Sequence, residues 1–163
     1  PHGNRWVTIK IMDGFLRLSA HHGDKTPEAT LALMSPIEGG RLIYPQSCNL
    51  QLEALTESTF TIQYGQDSIN EQDDFLTEWL IALHLARHPV NAEERLLNLL
   101  KLLVYRLGRR TRDGCTLNFL LSHARLAEII GATRSTVSRA MGKLRQNGSI
   151  SIEESKGLLT IRD

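Results

Sequence analysis

The chain has 163 residues, 41% hydrophobic and 23% charged, with a formal net charge of +1. These are the proportions of an ordinary globular protein, one medium domain or two small ones. They exclude a disulfide framework, since Cys48 and Cys115 are far apart and also lack metal-ligand spacing. The apolar run LLNLLKLLVY from Leu96 is too short, and too interrupted by Asn98 and Lys101, to span a bilayer. With no secretory leader in evidence, a soluble protein of the reducing cytoplasm is expected.

The distribution of charge says more than its total. Residues 1–70 carry five Lys/Arg and seven Asp/Glu, and residues 71–100 carry two and six. From Lys101 to Gly148 there are ten basic residues and only two acidic ones, Asp113 and Glu128. A basic stretch inside an otherwise acidic chain is the electrostatic footprint of a nucleic-acid-binding segment.

In chain order, residues 1–70 read as strands. WVTIKI puts Val7, Ile9 and Ile11 on one side, and Met12-Asp13-Gly14 is a turn signal. FLRLSA follows, then the polar HHGDKTPE, then ATLALM. LQLEALTESTFTIQ keeps a period of two through Leu50, Leu52 and Ala54, and again at Phe60 and Ile62. Short strands punctuated by Gly, Pro and Asp predict a sandwich, roll or barrel. The segment is small for a complete β domain and starts almost at once with a strand, so a further N-terminal portion is expected to precede it.

A helix is predicted from about Glu71 to Arg87, with Phe75, Leu76, Trp79, Leu80, Leu83 and Ala86 along one broad stripe. Asp73 and Asp74 suit its start, Arg87 and His88 its end, and Pro89 stops it. The stripe either packs on the β domain or forms a dimer seam, and the second reading is preferred, with Phe75, Leu76, Trp79, Leu80 and Leu83 at the interface. Asn91, with Glu94 three residues on, marks the start of a second helix through the Leu-rich segment to Leu107, ended by Gly108.

The C-terminal third carries the chemistry. Ser122 caps a helix over roughly His123 to Ile130, Gly131 ends it, and Thr133 caps the next, Arg134 to about Gln146. Two short helices joined by a Gly-containing turn of about three residues are the form of a helix-turn-helix. Leu126, Ile130, Ala132, Val137 and Ala140 are apolar where the helices bury each other, Ala127 is small at the crossing, and Met141 and Leu144 extend the buried face. The opposite face gathers Arg134, Ser135, Ser138, Arg139 and Gly142, without a carboxylate. Arginine can pair its fork with O6 and N7 of guanine in the major groove. ISIEES, Lys156-Gly157 and LLTIRD then read as a hairpin, which makes the unit winged.

The segment SHARLAEIIGATRSTVSRAMGKLRQNGSISIEESKGLLTI resembles the C-terminal DNA-binding domain of the Crp/Fnr transcription regulators. Its nearest likeness there is to the nitrogen-control branch, through the pattern S-H-x-x-(I/L)-A-E-x-I-G-x-T-R-x-T-V-(S/T)-R. The resemblance implies an α+β chain with an N-terminal antiparallel β-roll at 1–70, a long dimerisation helix at 71–88 and a winged helix-turn-helix at 89–163. It implies that Arg134 and Arg139 read bases, that Thr136 bonds a phosphate beside the capping Thr133, and that Ser135, Ser138 and Lys143 belong to the same DNA-contacting set. Ser135 stands where the cyclic-AMP receptor branch has glutamate, and His123 where that branch has a phosphate-binding arginine. PIEGGRLIYPQSCN lacks the Arg-Ser/Thr-Ala of cyclic-nucleotide binders, and the cysteine cluster of the iron–sulfur oxygen sensors is missing. Neither cyclic AMP or GMP nor a cluster is therefore expected, and Cys48 and Cys115 are expected to be inert buried thiols.

His84 and His88 lie four apart but lack a third ligand, so no metal is expected, and His21-His22 fall in a polar turn. No catalytic spacing stands out, so neither an enzyme nor a cofactor is expected. The expectation is a homodimeric transcription regulator on palindromic double-stranded DNA. An activator would also need a surface for RNA polymerase, which the sequence does not place. Two alternatives stay open: gating by a metabolite such as 2-oxoglutarate, for which Arg41 is the only basic residue near Gly39-Gly40, and a winged protein-interaction module.

Overall fold

The computed structural model describes residues 6–23, 27–45, 47–65, 75–112 and 114–161. The chain divides into two compact units, Pro1–Ile81 and Ala82–Asp163, and the division falls within a helix.

The first unit is built on two three-stranded antiparallel sheets. Its strands are β1 (Trp6–Asp13), β2 (Leu16–His21), β3 (Ala29–Met34), β4 (Gly40–Ile43), β5 (Asn49–Ala54) and β6 (Thr59–Gly65). One sheet has the order β4-β1-β6 and the other β3-β2-β5. The alternation of β1 does what its pattern requires: Val7, Ile9 and Ile11 are buried, and Leu42 of β4 sits opposite Val7. Gly14, at φ +86°, makes the turn into β2, a backbone region that glycine occupies without penalty.

The two stretches of alternation between Leu50 and Ile62 belong to different sheets: the chain leaves β5, paired with β2 in one, and enters β6, paired with β1 in the other. Gly40–Ile43 form a further short strand, β4. A Cβ at Gly39 would lie 2.8 Å from the Ile9 carbonyl oxygen, so glycine permits the backbones to approach there.

Strand β2 buries four successive residues, Leu16 to Ser19, and Arg17 among them is fully buried. Its guanidinium bonds Thr30, Glu28 and Glu53. FLRLSA thus has two buried sides where alternation suggests one.

Helix α1 (Phe75–Arg87) straddles the two units; residues 71–74 of the expected helix, Asp73 and Asp74 included, lie outside the described residues. It ends before Pro89, as the missing N–H of proline dictates. Trp79 and Leu83, expected on the dimer seam, are buried within the chain, and the Trp79 indole N–H donates to Glu38 Oε2 at 3.1 Å. Phe75 and Leu76 are half-buried. The apolar side chains that α1 presents to solvent are Leu80, Ile81 and Leu85, at 43%, 52% and 63% exposure.

The second unit continues with α2 (Ala92–Leu107), β7 (Arg109–Thr111), β8 (Gly114–Leu117), α3 (His123–Ile130), α4 (Arg134–Gln146), β9 (Ile150–Glu153) and β10 (Leu158–Ile161). Asn91 caps α2 by accepting from the Glu93 N–H at 2.9 Å. Leu96, Leu99, Leu100, Leu103, Val104 and Leu107 then form its buried stripe, which packs on α3, α4, β8 and β10. Gly108 ends the helix, but for a reason other than a left-handed backbone: its φ is −86°. A Cβ there would meet the carbonyl oxygens of Val104 and Thr116, so the space is closed to any side chain.

Strands β7 and β8 form a hairpin that adds to the wing, giving one antiparallel sheet of order β7-β8-β10-β9. Arg109–Thr111 are exposed throughout and carry no apolar alternation, so the sequence marks this hairpin only by the Asp113-Gly114 dipeptide and not by a strand pattern. Cys48 and Cys115, expected to be buried, are half-buried free thiols. Among the described residues no group of three metal-ligating side chains comes together, and no helix is long and apolar enough to cross a membrane.

Candidate nucleic-acid interface

The site is a pair of helices fixed by their caps. The Ser122 hydroxyl accepts from the Arg125 N–H at 3.1 Å and opens α3. Gly131, at φ +63° and ψ +50°, closes it, while the Ala132 N–H reaches back to the Ala127 carbonyl at 2.9 Å. That six-to-one bond with a left-handed glycine is a Schellman end, and it turns the chain at once into the next helix. Leu126, Ala127, Ile129 and Ile130 of α3 are buried with Val137, Ala140, Met141 and Leu144 of α4. Each set recurs at the spacing of helical turns, so burying it leaves one face of α4 to solvent.

That face carries Arg134, Ser135, Ser138, Arg139 and Gly142, all exposed. Nothing lies within 4 Å of a Cβ built at Gly142, so the bare backbone there opens on solvent. Arg134 and Arg139 make no ion pair among the described residues, which leaves both forks available to an incoming acceptor.

The first turn of α4 is organised by one hydroxyl. Thr133 Oγ1 accepts from the Thr136 N–H at 3.1 Å and lies 2.9 Å from both Ser135 Oγ and Thr136 Oγ1. Thr133 is thus a cap and a hub for its neighbours, with Thr136 half-buried beside it. Thr133→Ala is expected to lower stability by about 1 kcal/mol, and Thr133→Ser to recover most of it, as read by urea denaturation.

Two further members of the expected set have partners that no local pattern reveals. His123 Nδ1 lies 2.7 Å from Ser138 Oγ, across from α3 to α4. Lys143 pairs with Glu93 in the first turn of α2 at 3.5 Å, so its charge is already partly answered within the fold. Arg145 reaches Glu154 in the single 3-10 turn between β9 and β10, at 3.4 Å, which ties the end of α4 to the wing. These links join residues distant in the sequence, and only residue type, not spacing, hints at them.

Comparison with known proteins agrees with this geometry. Residues 94–163 match the Crp-like helix-turn-helix domain family. Over 62 residues, 38% of this chain and 28% of the relative, the chain is 44% identical to the global nitrogen regulator of Nostoc sp. (strain PCC 7120). It is 27% identical over 132 residues to a probable transcriptional activator of Rhizobium leguminosarum bv. viciae, covering 81% of this chain and 52% of that one. The chain thus spans about half, or less, of the length of these curated relatives. The solved structure of FixK2 from Bradyrhizobium japonicum shares the fold at a TM-score of 0.68 and 18% identity, over 99% of this chain and 84% of that one. The C-terminal part of the chain, residues 94–163, is thus a Crp-like helix-turn-helix domain by its family match, and the described chain shares the fold of the FixK2 structure.

Proposed function

We propose that this chain is a sequence-specific DNA-binding regulator of transcription, working in the cytoplasm as a homodimer on an inverted repeat. The observation that carries the reading is the exposed face of α4, where two arginines without ion-pair partners among the described residues flank two serines and no carboxylate intervenes. A helix of 13 residues with such a face suits the major groove, where arginine forks and small hydroxyls find acceptors and donors on base edges. Thr136 and the capped start of α4 are assigned to the phosphate backbone, which positions the helix without reading sequence.

The dimer surface is assigned to the solvent side of α1. Leu80, Ile81 and Leu85 there form an apolar stripe that solvation alone does not explain. Phe75 and Leu76 flank it, whereas Trp79 and Leu83 hold the helix in place from within. Ile81→Lys with Leu85→Lys is expected to give a monomer by sedimentation equilibrium. The same change is expected to weaken binding to a full inverted repeat by about 100-fold, because the second half-site loses its tethered partner. A dimer that survives both lysines would move the seam elsewhere.

The test of the whole reading is selection of binding sites from a random DNA library by the purified protein at near-physiological salt. An inverted repeat with guanines in each half, centred about 34 Å apart, is the expected result. Binding that falls steeply with salt yet enriches no motif would leave only a phosphate-binding module.

A further inference from the structure

We infer that His123 is a positioning residue for base recognition, acting through Ser138 rather than on a phosphate. The inference rests on the DNA-reading role proposed above for α4 and names a determinant of its specificity. Ser138 sits in the middle of the exposed face, one turn after Arg134, one turn before Gly142 and next to Arg139. A serine hydroxyl in such a place ordinarily rotates among staggered positions or bonds back to the carbonyl of the preceding turn. Either habit blurs what it can read.

Here the hydroxyl has a fixed partner. The 2.7 Å separation from His123 Nδ1 is at the short end for a side-chain hydrogen bond. His123 is the first residue of α3 and follows Ser122, whose cap bond anchors that end of the helix. His123 is of intermediate exposure and Ser138 is exposed, so the bond lies at the surface and the ring takes its place from its position at the capped start of α3. A planar ring at the start of one helix thus meets a small hydroxyl on another, fifteen residues away in the chain.

The bond also fixes what Ser138 has left to offer. A hydroxyl has one donor and two acceptor positions. If Nδ1 accepts, the serine proton is committed to the ring, and Ser138 faces the groove as an acceptor for the amino group of adenine or cytosine. If Nδ1 carries the proton, Ser138 accepts from the ring and keeps its own proton for guanine or for the O4 of thymine. In both cases one base position in each half-site feels His123 without touching it.

The experiment measures relative affinities of the wild-type protein, Ser138→Ala, His123→Ala, His123→Asn and the Ser138→Ala/His123→Ala pair. The DNA sites differ at single positions of the selected inverted repeat. Because each value is a ratio between two sites, a loss of folded protein cancels, and a melting curve of every variant verifies the fold. Ser138→Ala is expected to reduce the preference at one position of each half-site about fivefold, the effect of one hydrogen bond. His123→Ala is expected to reduce the same preference by a similar factor, with no further loss in the pair. His123→Asn, whose amide places a polar atom near the Nδ1 position, is expected to restore it. The inference is overturned if His123→Ala leaves that preference intact while Ser138→Ala removes it. It is equally overturned if either change weakens all sites alike, the mark of a phosphate contact. Failure of the wild-type protein to enrich any motif is a separate result, since it sinks the DNA-reading role of α4 itself.

Discussion

Replacing Arg17 by Met is expected to destabilise the N-terminal unit by roughly 3–5 kcal/mol, the usual cost of removing one side of a buried ionic cluster. Arg17 is fully buried in β2. Its Nε donates to Thr30 Oγ1 at 2.7 Å, and its Nη1 donates to Glu28 Oε2 at 2.7 Å and Glu53 Oε2 at 3.0 Å. Glu53 is its direct cross-strand partner on β5, and Ser19 Oγ lies 3.4 Å from the same Glu28 oxygen. One cation therefore holds two carboxylates that would otherwise repel each other. The glutamate side chains keep 33% and 37% of their exposure, so water reaches them and tempers the loss toward the lower end of that range. Arg17→Lys is expected to cost less, about 1–2 kcal/mol, because the charge survives and the fork that serves Thr30 and both carboxylates does not. The sharper test is the triple change Arg17→Met, Glu28→Gln, Glu53→Gln, which takes both carboxylate charges away with the cation and is expected to recover much of the loss. Urea denaturation monitored on the β unit reads all three. A loss below about 1 kcal/mol for Arg17→Met would mean that water, and not the arginine, satisfies the two glutamates.

What the sequence made legible, and what it hid, follows from the range of the forces involved. The caps at Asn91, Ser122, Gly131 and Thr133 were readable because each is a bond between a side chain or a backbone conformation and residues at most five positions away. The exposed face of α4 was readable for a similar reason: once Val137, Ala140, Met141 and Leu144 are buried, helical geometry dictates where Arg134, Ser138 and Arg139 point. Strands β4 and β7 were not, since each has three or four residues and owes its existence to a neighbour's ladder rather than to its own pattern. Arg17 was hidden in the same way. Alternation assigns it to a solvent side, and only the arrival of Glu28, Thr30 and Glu53 makes its burial tolerable.

The stripe on α1 shows a subtler limit. Apolar residues at helical spacing identify a face to be covered, but not whether the same chain or another covers it. Trp79 is buried, with its indole N–H on Glu38, a partner forty-one residues away, whereas Leu85 is 63% exposed. The same limit separates Lys143 from Arg134 and Arg139. All three are basic and on α4, yet among the described residues only Lys143 of the three meets a carboxylate, Glu93, from another helix.

Arg134→Ala and Arg139→Ala are each expected to reduce discrimination at a different base position by about 1–3 kcal/mol, the effect of losing one bidentate contact to guanine. The two side chains project from positions five residues apart on α4, so they reach different base pairs, and their effects are expected to add. Lysine at the same positions separates charge from geometry. Arg134→Lys keeps the cation and so the salt dependence of binding, but a point charge cannot span O6 and N7 as a fork does. Its discrimination is therefore expected to fall nearly as far as that of the alanine variant, while its affinity for unrelated DNA stays close to wild type. Thr136→Ala supplies the contrast, with all sequences weakened about equally. Competition binding against single-base variants of the selected site, repeated at two salt concentrations, distinguishes these outcomes. If Arg134→Lys preserves discrimination, the arginine is working on phosphate alone, and specificity must come from Ser135, Ser138 and Arg139 or from the shape of the bound duplex.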